Sequence, residues 1–215
     1  MGQIYDATWG RAFSAMYDRG FQGAEDAGLR EMRRELLAQA RGRVLELGAG
    51  TGLNLEHYPR EIESLTMVEP DPHMTKQLRE KLAQAGRSAE ISVVEAPGED
   101  LPFADDSFDT VTVTLVLCTV PDPEATLSEI KRVLAPGGQL LFLEHVRSHQ
   151  PGLAKWQDRL EGPWRFLADG CHCNRDTIGN IAAAGFHQSD VARGNLMKMP
   201  PIVKPLVKGS ARISN

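Results

Sequence analysis

Apolar and polar positions divide the chain into three stretches. Between Ala12 and Ala40, Leu29, Met32, Leu36, Leu37 and Ala40 recur at intervals of three and four, and Arg33 falls on the same stripe. That is the period of an amphipathic helix. Gly20, Gly23 and Gly28 interrupt its earlier turns. From Arg43 to Val146 the pattern alternates. Val44 to Leu47, "SLTMVEPD", "EISVVEA", "FDTVTVTLVL" and "QLLFLEHV" read as strands. Between them, "TGLNLEHYP" opens a helix closed by Pro59, Pro72 to Ala85 makes another, and "PEATLSEIKRVLA" is an amphipathic helix stopped by "PGG". Strands alternating with helices predict an α/β fold, a parallel sheet with helices on both faces. After Val146 the pattern loosens. Leu153 to Leu167 reads as a helix broken at Pro163, and Thr177 to Ala184 as a helix ended by Gly185. "FHQSDVARGNL" and "PLVKGSARIS" read as two further strands joined by a proline-rich loop.

Composition narrows the function classes. A chain of 215 residues fits one domain and buries a core without disulfide or metal staples. A net charge of -5 disfavours nucleic-acid partners, which need a basic footprint. Arg30, Arg33, Arg34, Arg41 and Arg43 alternate with Glu31 and Glu35 and read as a solvated helix face. No apolar run approaches the ~20 residues of a membrane span, so no stable membrane insertion is expected. "MGQIYDATWGR" has no leader pattern, and Asp6 stands where a myristoylation motif needs Ser or Thr. Three cysteines, Cys118, Cys171 and Cys173, suit no disulfide framework and point to a reducing cytoplasm. The oligomeric state is left open.

"VLELGAGTG" carries the first chemistry. Gly48, Gly50 and Gly52 follow a strand, where small residues let backbone amides approach an anionic group such as a carboxylate. Glu69 stands at the end of the next strand, where a carboxylate can accept both hydroxyls of a ribose. The spacing is G-x-G-x-G rather than the G-x-G-x-x-G of a dinucleotide site. Glu46 is unusual beside a pyrophosphate and suits an amino group. Ribose, amine and carboxylate together describe S-adenosylmethionine.

With these residues in place, "VLELGAGTG", "VEPD", "GEDLPFADDSFDTV" and "LAPGGQLLFLEH" resemble, in order, the motifs of class I S-adenosylmethionine-dependent methyltransferases. The resemblance implies a Rossmann-like, mostly parallel seven-stranded sheet in the order 3-2-1-4-5-7-6 within one domain. It would comprise an N-terminal helical lid (1–40), a cofactor-binding core (41–146), a substrate-capping segment (147–180) and C-terminal strands (181–215). The resemblance places Glu46, Gly48, Ala49 and Gly50 at the methionine part and Glu69 at the ribose. Pro70, Gly98 and Glu99 would border the adenine, and Leu115 would lie near the sulfonium. Tyr5 and Trp9 would close over the cofactor and its substrate.

"LADGCHCNRD" remains. Zinc sites space ligands as C-x2-4-C and redox pairs as C-x-x-C. Cys171-His172-Cys173 fits neither, so no metal is expected there. The pocket reading makes Cys171, His172 and Arg175 substrate contacts, and its alternative is a cap, a salt bridge and small apolar fillers. "FLEHV", the Trp-containing helix and "LADGCHCNRDT", with "TLVLCTV", resemble the alkyl thiol methyltransferase family. That family includes membrane-associated animal enzymes whose apolar N-terminal anchor this chain is expected to lack. The implied reaction is methylation of a small-molecule thiol, with Asp169 or His145 taking the proton. A quinone, phenol or phospholipid head group methylated on O or N is the rival. A non-catalytic binding module would show a damaged glycine loop or no ribose acid, and neither defect is present.

Overall fold

A computed structural model describes residues 11–87 and 90–213. Five apolar segments form the strands β1 (Arg43–Leu47), β2 (Ser64–Val68), β3 (Ile91–Val94), β4 (Phe108–Thr114) and β5 (Leu134–His145), and all pair in parallel. β7 (Pro205–Ile213) runs antiparallel to β5 and to β6 (Phe186–Asn195). The sheet order is β3-β2-β1-β4-β5-β7-β6, as the resemblance implied.

Alternation along each strand feeds two cores. Leu45, Leu47, Leu140 and Phe142 face one side, where α4 (Pro123–Val133) and α6 (Thr177–Ala183) supply Leu127, Ile130, Val133 and Ile181. Val44, Leu141 and Leu143 face the other, against Leu36 and Leu37 of α2 (Arg30–Leu37) and Leu78 and Leu82 of α3 (Pro72–Gln84). Burial on both faces is why the central strands read as continuous apolar runs. Two helix starts are written as Asp-Pro. Asp71 accepts from the amides of His73 and Met74, Asp122 from those of Glu124 and Ala125, and the following proline takes the first helical position.

Three expectations change. The segment after the glycine loop holds only a tight turn, Leu55–His57, rather than a helix. Gly52 at φ 84° and Pro59 leave too little chain between them for more. The backbone amides there come from a loop, without an aligned helix behind them. Pro163 does not break the next helix: α5 (Pro151–Leu167) runs through it, and the amide of Ala168 still bonds Trp164 O. Leu153, Leu160 and Trp164 pack one face of α5 against Cys173, Ile202 and Val203, which holds the helix together past the missing bond. Arg33 is not on a solvated face. It is 2% exposed and sits where the helical stripe predicted an apolar residue. The helix preceding α2, α1 (Arg11–Ala24), meets it at a kink where Gly28 has φ 123°.

Candidate active site

Sheet order reverses between β1 and β4, and ligands of open α/β sheets bind at the carboxyl ends of strands beside such a switch. Gly48, Gly50 and Gly52 lie there with φ of 67°, 56° and 84°. A Cβ on Gly48 would stand 2.5 Å from Val116 Cγ2, so only glycine lets the loop after β4 lie this close. A small cavity opens beside the loop, lined by Tyr17, Arg33, Glu46, Gly48, Ala49, Gly50 and Asn54 among others. α1 covers it. Asp18 accepts from Thr51 Oγ1 at 2.5 Å and pairs with Lys81 on α3 at 2.7 Å, fixing the helix to both sides of the cavity.

The floor is a buried polar network. Arg33 Nε donates to Glu25 Oε1 (3.0 Å), and its Nη1 donates to Asn54 Oδ1 (2.8 Å) and Thr114 Oγ1 (3.0 Å). Asn54 Nδ2 donates to Glu46 Oε1 (2.8 Å). Glu46 Oε2 is buried with no hydrogen-bond partner among the described residues. A buried acceptor left open at a cavity wall fits a ligand donor, and the ammonium of a methionine moiety is one. Burial pushes Glu46 up to about 7, against Asn54, Tyr58 and Arg33, which act the other way.

Glu69 stands beside the glycine loop. Its Oε2 accepts from the Gly50 amide (2.8 Å) and its Oε1 from the Asp71 amide (2.9 Å), so it staples the glycine loop to the end of β2. A carboxylate has about four acceptor sites, which leaves lone pairs for ribose hydroxyls. Burial pushes Glu69 up to about 7 as well; the two amides oppose this, and the charges of Asp71 and Asp169 add to it. Both carboxyls thus titrate far above the ordinary 4.5 in the folded protein. The folded state holds more protons than the unfolded chain in that window, so their contribution to stability is lost as pH rises through about 7. Melting of the ligand-free protein should show it: the Tm of wild type relative to Glu46→Gln falls between about pH 5 and pH 8. A difference independent of pH would contradict the burial argument.

The other end of the site is built by the loop after β4 and the segment after α5. Leu115 has φ 60° and ends β4. The buried Glu144 takes the amides of Val116 (2.8 Å), Leu117 (3.0 Å) and Cys118 (3.4 Å), which turns the loop back over β5. Arg175 Nη1 donates to Leu117 O (2.7 Å) and Val120 O (2.8 Å), so this cation clamps the same loop. From α5 the buried Gln157 donates to Val146 O, Cys173 O and Ile202 O, tying the capping segment to the sheet edge. These contacts gather Cys118, His145 and Cys171, all buried. Cys171 Sγ lies 3.2 Å from His145 Nε2 and accepts from Trp164 Nε1 at 3.2 Å.

The predicted site residues separate accordingly. Glu46, Gly48, Ala49 and Gly50 line the cavity, with Glu69 beside them. Pro70 is exposed next to Glu69. Gly98 packs on Thr126 and Leu47, and Glu99 accepts from the Asp122 amide. Asp169 is half-buried with φ 47° and within electrostatic reach of Glu69. His172 pairs with Glu161 at 2.8 Å. Cys173 turns away from Cys171 toward Gln157 O. Tyr5 and Trp9 lie outside the described residues. Tyr17, Arg33, Asn54, Glu144 and Gln157 escaped the reading of motifs. Only Arg33 left a trace, as a charge on an apolar stripe.

Comparison with known proteins gives the family of this fold. The methyltransferase domain family matches residues 45–142. Thiol S-methyltransferase TMT1B of Homo sapiens is 38% identical over 187 residues, covering 82% of this chain and 74% of that protein. Thiol S-methyltransferase TMT1A of Homo sapiens is 34% identical over 170 residues, covering 78% and 69%. An S-adenosylmethionine-dependent methyltransferase of Thermotoga maritima shares the fold, with a TM-score of 0.68 at 22% identity over 95% of this chain and 97% of its own. The chain belongs to the family of these thiol S-methyltransferases, a branch of the class I S-adenosylmethionine-dependent methyltransferases.

Proposed function

We propose that the protein transfers a methyl group from S-adenosylmethionine to the sulfur of a small-molecule thiol. The observation that carries this reading is the extent of the 38% identity. It covers 82% of the chain, well beyond the residues 45–142 shared with methyltransferases at large. The flanks that build the acceptor side are therefore part of the likeness.

The sulfonium supplies an activated methyl group, so the protein's work is alignment, exclusion of water and removal of one proton. Glu46 receives the ammonium, the amides of the glycine loop the carboxylate, and Glu69 the ribose, with Gly98 and Glu99 at the adenine. Residues 1–40 act as the lid, which the ties of Asp18 to Thr51 and Lys81 support. Residues 147–180 cap the acceptor, and Cys171 and His145 line its pocket. A thiol with a pKa near ~8.5 needs only modest help to expose its thiolate. Asp169 takes that proton. No helix among the described residues is long and apolar enough to cross a membrane.

Asp169→Asn is expected to lower kcat by about 10²-fold while S-adenosylmethionine affinity stays in place. Unchanged kcat would remove Asp169 from the mechanism. The acceptor atom is tested with one molecule carrying competing groups, such as 4-mercaptophenol or cysteamine. The reading expects methylation at sulfur; methylation at oxygen or nitrogen would replace it with O- or N-transfer on the same fold.

A further inference from the structure

We infer that Cys118, His145 and Cys171 form a binding site for one zinc-class divalent cation, whose open fourth position takes the acceptor sulfur. The second half of this statement rests on the thiol reading above. The trio differs from the Cys171-His172-Cys173 run that spacing had set aside.

The three ligands come from three elements: the loop after β4, the end of β5 and the turn after α5. Each is held in place. Glu144 and Arg175 hold the Cys118 loop, pairing in the sheet holds His145, and Gln157 and Trp164 hold the Cys171 turn. One ligand atom from each residue lies within 4.8 Å of the other two. Zinc bonds of about 2.3 Å to sulfur and about 2.0 Å to nitrogen put tetrahedral ligand atoms roughly 3.4–3.8 Å apart.

The donors suit the cation. Two thiols and an imidazole select zinc over magnesium or calcium, which prefer oxygen. His145 presents Nε2, the ring nitrogen that faces Cys171 Sγ, to the cation. Trp164 Nε1 donates to Cys171 Sγ, the kind of outer hydrogen bond that orients a metal-bound thiolate. Three protein ligands, as opposed to four, leave one position for a substrate.

Charge agrees as well. Two thiolates neutralise the dication, and an acceptor thiolate would leave one negative charge. The Arg175 guanidinium, anchored on Leu117 O and Val120 O beside Cys118, stands ready to offset it. No electron changes hands. Cys118 and Cys171 each release the proton of an S–H bond to solvent, the acceptor thiol gives its proton to Asp169, each sulfur donates an electron pair to the cation, and the cation stays divalent. In this arrangement His145 holds the cation and takes no proton. Val116, two residues before Cys118, lies against Gly48, which brings the Cys118 loop beside the glycine loop.

Cobalt(II) titration of the full chain, freed of metal by a chelator, tests this. The expected result is one cobalt per chain with intense sulfur-to-cobalt charge-transfer and tetrahedral d–d bands. Cys171→Ser loses the bands, Cys118→Ser weakens them, and Cys173→Ser keeps them. Ethanethiol then shifts the bands as its sulfur takes the fourth position. Wild type without these bands, or bands that survive in Cys171→Ser, would overturn the site, and its sulfurs would be packing. Bands that ignore ethanethiol would overturn the fourth-position assignment and leave the cation. Thiol methylation by protein that binds no cobalt would overturn the metal and leave the proposed function standing.

Discussion

Arg33→Met is expected to destabilise the protein by about 3–5 kcal/mol, the usual cost of removing one partner from a buried ion pair. For a chain of this size that lowers Tm by roughly 6–20 °C. The loss comes from what remains behind. Glu25 is 6% exposed and loses the Nε bond that compensates its burial. Asn54 Oδ1 and Thr114 Oγ1 lose a charged donor. Methionine keeps the aliphatic length and helix propensity, so the effect reports the charge. The double variant Glu25→Gln/Arg33→Met should recover part of the loss, because it no longer strands a carboxylate. Thermal melting of the two variants decides. Equal Tm for wild type and Arg33→Met would mean that the network adds nothing beyond packing.

Glu46→Gln is expected to move two properties in opposite directions. S-adenosylmethionine affinity falls by about 10–100-fold, the worth of one charged hydrogen bond at a buried site. The ligand-free protein becomes more stable near neutral pH, because the amide oxygen still accepts from Asn54 while the desolvated charge is gone. The variant should also lose part of the proton release that accompanies cofactor binding near pH 7, visible in calorimetry across buffers of different ionisation enthalpy. Lost affinity together with lost stability would assign Glu46 to the fold and remove it from the ammonium site.

Much of this architecture was legible before any coordinates. The alternation of strands and helices and the glycine spacing each follow from local rules, and the sheet order came with the family motifs. What escaped reading depends on contacts between distant segments. Glu144 sits within a run that reads as apolar strand, and only the fold shows that its carboxylate takes three amides of the loop after β4. Gln157 lies in a stretch that reads only as helix and proves to be buried with three carbonyl partners. Arg33 falls on the apolar stripe yet reads as part of a solvated face, and its acid partner Glu25 lies across a kink that the sequence marks only with Gly28. The cysteine question had the same form. "CHC" draws attention to neighbours in sequence, while the structure pairs Cys171 with His145, 26 residues away, and turns Cys173 elsewhere. A C-x-C pair in a turn need not point both sulfurs the same way.

The most direct test follows one methyl group. The protein is incubated with S-adenosylmethionine bearing a trideuterated methyl and with a single alkanethiol, and products are read by mass spectrometry. The account predicts a thioether carrying the three deuterons, formed in step with S-adenosylhomocysteine and suppressed in Glu46→Gln. Labelled methyl left on the cofactor, with alkanethiols of several lengths untouched, would contradict it.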